Sequence, residues 1–119
     1  MASINDSLST LMSIDGALCC ALVDSGSGMI LGQAGSGVDM ELAAAGNTEV
    51  VRAKQRTMSS LKLNDSIDDI LITLGKQYHI IRPSVASAGL FFYVVLDKAR
   101  ANLALARRKV QDVEAAVKL

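Results

Sequence analysis

The run AGLFFYVVL, residues 88–96, constrains this chain more than any other segment. On a strand, Leu90, Phe92, Val94 and Leu96 fall on one face and Phe91, Tyr93 and Val95 on the other. A strand with no polar face must be covered on both sides. That places it in the middle of a sheet with helices above and below. Phe91, Phe92 and Tyr93 lie in this run, and Tyr78 is the only aromatic residue outside it. The remaining core has to be built from aliphatic side chains, Ala and Met. A length of 119 residues predicts a single domain over 1–119. Such a chain buries about two-thirds of its unfolded surface, enough for an independent core.

The rest of the chain supplies the covering layers. Ile4, Leu8, Leu11 and Met12 have the spacing of one helical face, so residues 3–14 read as a short helix closed by Gly16. The apolar run ALCCALV (17–23) reads as a strand. Asp24-Ser25-Gly26-Ser27-Gly28 is turn chemistry, and Met29 to Ala34 returns as its hairpin partner. Ser36 followed by Asp39 has the spacing of a helix N-terminal cap, and a long helix is expected over 37–62. Its apolar stripe is Met40, Ala43, Ala44, Val50, Val51, Met58 and Leu61, with Glu41, Glu49, Arg52, Gln55, Arg56 and Ser59 opposite. Strands follow at Ile67 to Leu74 and Gln77 to Arg82, the latter ended by Pro83. Asp97 is expected to start a last helix, with a seam of Ala99, Leu103, Ala106, Val110, Val113 and Val117. The order is α-β-β-α-β-β-β-α.

Twelve basic and twelve acidic residues balance, which argues against general attraction to nucleic acid or anionic lipid. The N-terminal MASINDSLST lacks the basic-then-apolar pattern of a signal peptide, and no apolar run approaches the ~20 residues of a membrane span. The adjacent Cys19 and Cys20 point to opposite faces of a strand, so they read as two buried small hydrophobes and not as a disulfide. A cytoplasmic protein is expected.

Catalytic chemistry finds little support. The glycines at 26, 28, 32, 35 and 37 lack the G-x-G-x-x-G spacing between strand and helix, and no Walker-type lysine follows them. His79 is the lone histidine and reads as a surface or rim residue; one histidine without a positioned acid makes neither a triad nor a metal site. Asp68 and Asp69, adjacent on a strand, point apart. Arg107-Arg108-Lys109 reads as a solvated basic face. No catalytic residue, metal or cofactor is expected.

The element order, carried by ALVDSGSGMILGQAG, VDMELAAAGNTEVVRAKQRTMSSL and DDILITLGKQYHIIRPSVASAGLFFYVVLDKARANLALAR, resembles the Roadblock family of dynein light chains and their bacterial relatives over nearly the whole chain. The resemblance implies an α+β, profilin-like fold: a five-stranded antiparallel sheet with the long helix on one face and the two terminal helices on the other. It implies a homodimer joined through the middle helix and third strand. It also implies non-enzymatic work, as a scaffold or regulator of a Ras-like small GTPase or as a dynein-type cargo adaptor.

The residues give their own hint of the dimer. Leu42, Gly46, Ala53, Thr57 and Ser60 share one flank of the long helix, and three of them are small at seven-residue steps. That flank either admits a second backbone or seats on the chain's own sheet. An edge strand at 67–74 would expose unpaired amides, and its alternate positions Ile67, Asp69, Leu71 and Thr73 complete the expected dimer interface. Glu49, Arg52, Gln55 and Arg56 are the expected contacts for a protein partner. The competing reading is a small-molecule sensor in which Tyr78, Tyr93 and Cys19 hold a ligand between sheet and helices.

Overall fold

In a computed structural model, which describes residues 2–118, the chain runs α1 (Ile4–Met12), β1 (Ala17–Asp24), β2 (Ile30–Gly35), α2 (Met40–Ser60), β3 (Ile70–Thr73), β4 (Gln77–Pro83), β5 (Leu90–Asp97) and α3 (Leu103–Ala116). Positions 1 and 119 of the expected domain lie outside the described residues. The strands form one sheet of order β2-β1-β5-β4-β3, antiparallel throughout. The doubly apolar β5 is its middle strand, as its sequence demands.

The two faces of β5 seed two cores. Phe92, Val94 and Leu96 pack with Leu8 and Leu11 of α1 and Ala106, Val110 and Val113 of α3. Phe91, Tyr93 and Val95 pack with Met40, Ala44 and Val51 of α2. Cys20 faces the first layer and Cys19 the second, both free and buried. Burial pushes both thiols up, Cys20 to about 12 with a further push from Cys19. The long helix thus lies on one face and the terminal helices on the other, as the resemblance implies.

Several boundaries differ from the sequence reading, each for a local reason. Asp39, not Ser36, caps α2, its carboxylate accepting from the Leu42 amide at 3.2 Å. Gly35 and Gly37 sit at φ 77° and 135°, so the residues between β2 and Asp39 form the crossing and not the helix. A side chain at Gly35 would also collide with the Leu18 carbonyl. Asp97 ends β5 and turns the chain by accepting from the Ala99 amide; α3 begins six residues later under an Asn102 cap that accepts from Leu105. Ala99 and Val117 therefore lie outside the helix whose seam they were expected to share. α1 stops at Met12 with Ser13 as its cap, and Gly16 instead takes φ 85° in the turn into β1. β3 is shorter than expected: Ile67, Asp68 and Asp69 precede it, so the two aspartates are not strand neighbours.

Candidate interaction surface

α2 makes its main contacts with β1 and β2 through Met40, Ala44, Thr48 and Val51. Thr48 lowers the cost of its burial by donating its hydroxyl to the Ala44 carbonyl at 2.7 Å. Beyond Val51 the helix is mostly exposed, and among residues 52–60 only Met58 is partly buried. The helix then closes in a Schellman motif. The Leu63 amide donates to the Met58 carbonyl and the Lys62 amide to the Ser59 carbonyl, both at 3.0 Å. Lys62 holds φ 56°, the left-handed conformation that glycine usually supplies at this position.

The flank read from the sequence faces outward. Leu42 is 71% exposed, and Ala53, Thr57 and Ser60 are also exposed. A side chain built at Gly46 would meet nothing within 4 Å. The flank therefore does not seat on this chain's own sheet. Val50 and Leu61, expected in the stripe that packs inward, are exposed instead, because the inward positions after Ala44 are taken by Thr48 and Val51. Glu49, Arg52, Gln55 and Arg56 are all exposed. Among the described residues none of these three charged groups is in an ion pair.

The charges along α2 are segregated. Asp39, Glu41 and Glu49 belong to its first half and its cap; Arg52, Lys54, Arg56 and then Lys62 follow. At the sheet edge next in sequence, β3 pairs only with β4, so its other side carries free backbone groups. Leu71 turns toward the core shared with α3, Ile70 and Ile72 toward the α2 layer, and Thr73 is exposed. Asp69 is committed elsewhere: Arg107 grips its carboxylate through two hydrogen bonds of 2.8 and 2.9 Å. Arg107 is therefore tied to the start of β3, and the basic run 107–109 is not a simply solvated face.

The residues considered for a small-molecule site do not converge. Tyr93 and Cys19 are buried in the α2 layer, whereas Tyr78 packs on the opposite face of the sheet beside α3. The strand alternation that separates them is incompatible with one shared pocket. His79 is half-buried and not a rim residue. Its Nδ1 lies 3.0 Å from the Tyr93 hydroxyl and its Nε2 2.9 Å from Gln77 Oε1. The two rings meet edge to face at 5.5 Å. Burial lowers the histidine pKa and raises that of the tyrosine.

One network escaped the sequence reading entirely. Glu114 of α3 is 4% exposed, and its carboxylate accepts from Arg82 Nε at 3.1 Å, the Val85 amide at 3.3 Å and the Ser84 hydroxyl at 3.5 Å. It pins the β4–β5 loop to α3. Its partners lie about thirty residues away, and no local pattern in α3 distinguishes Glu114 from a solvated glutamate.

No protein-family model matches the chain, and no curated protein matches it. Solved structures do. A Roadblock/LC7 domain from Streptomyces avermitilis superposes with a TM-score of 0.82 at 11% identity, over 97% of this chain and 94% of that one. Myxococcus xanthus MglB gives 0.82 at 18% identity, over 94% and 89%. MglB in a tetrameric arrangement gives 0.81 at 15% identity, over 95% and 83%. At such identities the likeness is one of fold.

Proposed function

We propose that this chain, which has the Roadblock/LC7 fold, is a non-catalytic cytoplasmic homodimer that binds a Ras-like small GTPase and modulates its nucleotide cycle or its location. The observation that carries this reading is the outward flank of α2, where small and apolar residues are exposed around an open Gly46. A soluble monomer gains nothing from exposed Leu42 and Val50 beside a gap; a second helix does. Antiparallel pairing about a twofold axis brings the acidic half of each α2 beside the basic half of the other. The same axis lets the free edge of β3 pair with its copy, so that two sheets become one.

The GTPase comes from the family resemblance together with the unpaired side chains of Glu49, Arg52, Gln55 and Arg56. The groups that most often carry acid–base or nucleophilic work serve the core here: His79 is tied between Gln77 and Tyr93, and burial pushes both thiols up, away from the reactive thiolate. No helix among the described residues is long and apolar enough to cross a membrane.

The test is capture of small GTPases from the source organism by the tagged chain, run in parallel with GDP and with a non-hydrolysable GTP analogue. Enrichment of a GTPase in one nucleotide state, lost in an Arg52→Glu/Arg56→Glu variant, is the expected result. Absence of any nucleotide-dependent GTPase sinks the regulator reading and leaves only a dimeric scaffold.

A further inference from the structure

The sheet has a second free edge at the end opposite β3, where β2 pairs with β1 alone. The Ser36 amide donates to the Leu18 carbonyl at 3.0 Å and the Asp24 amide to the Met29 carbonyl at 2.9 Å. The alternation of an antiparallel ladder then turns the amides and carbonyls of Ile30 and Gln33 outward, away from β1. The strand, ILGQAG, carries none of the lysines or prolines that commonly blunt such an edge. Its one irregularity is the extra residue Leu31, which shifts the register between Leu22 and Val23 and is 44% exposed.

A groove of about 560 Å³ lies beside this edge. Residues 28–33 form one wall, with Met29 66% exposed, and Glu41 from the first turn of α2 forms the other. The walls are fixed to each other, because Ile30 packs into the same core as Met40 and Ala44. No residue of the outward α2 flank or of β3 lines the groove, so a dimer formed there leaves it open.

Charge selects what fits. The chain is neutral overall, but its charges are divided along its length. Residues 1–51 hold Asp6, Asp15, Asp24, Asp39, Glu41 and Glu49 and no lysine or arginine, so all twelve basic residues come after them. α1 covers β1 and β2 on one face and the first half of α2 covers them on the other, which gathers the elements carrying these carboxylates at the β2 end of the sheet. None of these carboxylates is in an ion pair among the described residues. Glu41 is exposed and is the single charged side chain in the groove lining.

We propose that the β2 edge takes an extended segment of a protein partner as a sixth strand of the sheet, and that this segment carries lysine or arginine beside apolar residues. Its backbone pairs with Ile30 and Gln33, its apolar side chains cover Met29 and Leu31, and its cations meet Glu41. This surface is separate from the α2 flank and from the α2 charges assigned above to a second copy and to a GTPase, and the proposal rests on neither.

Two short synthetic peptides with the same alternation of valine and threonine, one with two lysines and the other with two glutamates, are added to the full chain while amide hydrogen exchange is followed by NMR. The lysine peptide is expected to protect the amides of Ile30 and Gln33. Its affinity is expected to fall about tenfold in Glu41→Lys and on raising the salt. Gln33→Pro is expected to abolish the protection of Ile30 and to keep native circular dichroism, since the amide it removes points away from β1. Equal binding of both peptides, or no protection at millimolar peptide, overturns the proposal. So does protection along β3 in place of β2. Protection of Ile30 and Gln33 in the chain alone, growing with its concentration, also overturns it and gives the edge to a second copy. Nucleotide-dependent GTPase capture reads a different surface, so either result can fail without the other.

Discussion

Lys62 holds a backbone conformation that costs a side chain about 1–2 kcal/mol and glycine almost nothing. Part of that gain is offset by the larger freedom of glycine in the unfolded chain. Lys62→Gly is therefore expected to stabilise the fold by about 0.5–1 kcal/mol, read as a melting temperature raised by about 3 °C in calorimetry. An unchanged or lower melting temperature rejects the strain argument. His79 makes the opposite kind of prediction. Gln77 Oε1 can only accept, which puts the imidazole proton on Nε2 and leaves Nδ1 to accept from the Tyr93 hydroxyl. Burial holds the pKa below its ordinary 6.5, so the fold favours the neutral ring. The contribution is complete above 6.5 and is lost as pH falls through the lower folded value. Urea unfolding at pH 7 and about pH 5, above most carboxylate titration, is expected to show a loss of stability that His79→Asn reduces. A pH dependence identical in the variant rules the histidine out as its source. The sequence marks His79 only as solitary. Its partners are set by strand register and by a contact across β4 and β5, neither of which a lone residue type announces.

At the scale of elements, the strongly periodic segments were legible and their ends were not. The two apolar faces of residues 90–96 require a central strand between helical layers, and turn chemistry after Asp24 requires a hairpin; both follow from burial and backbone freedom alone. Asp97 misled because an aspartate before an alanine-rich seam has the chemistry of a helix cap. Here its carboxylate serves a turn at Ala99, and Asn102 takes the cap. The outward flank of α2 was legible because small residues recurred at helical spacing. The network around Glu114 was not, since its partners Arg82, Ser84 and Val85 lie about thirty residues away in sequence. That carboxylate allows a direct test. Glu114→Ala leaves Arg82, itself largely buried, without its ion-pair partner and frees the β4–β5 loop. A destabilisation of about 3 kcal/mol is expected in urea unfolding. Replacing both members by apolar residues of similar volume is expected to cost much less, because no charge is then stranded. If the double replacement costs as much as the single one, the pair acts by packing and not by charge.

At the scale of the whole molecule, the argument turns on what covers α2. One face of this helix is seated on β1 and β2, and the opposite flank offers Leu42, Val50 and the open position at Gly46 to whatever lies outside. That openness makes a clean experiment possible, because a side chain at position 46 meets nothing in its own chain. Glycine within a helix also costs about 1 kcal/mol relative to good helix formers. Gly46→Arg should therefore leave the isolated fold intact and raise its intrinsic stability. In a twofold pair the same arginine has to enter the closest approach of two helices. The parent chain is expected to sediment as a dimer and the Gly46→Arg variant as a folded monomer with native circular dichroism. An acidic-to-basic exchange distinguishes the orientation of the pair. Glu49→Lys alone weakens an antiparallel dimer, and adding Arg52→Glu restores part of it by returning opposite charges to facing halves. A variant that stays dimeric with arginine at position 46 places the interface on another surface, and the exposed flank of α2 then needs a different partner.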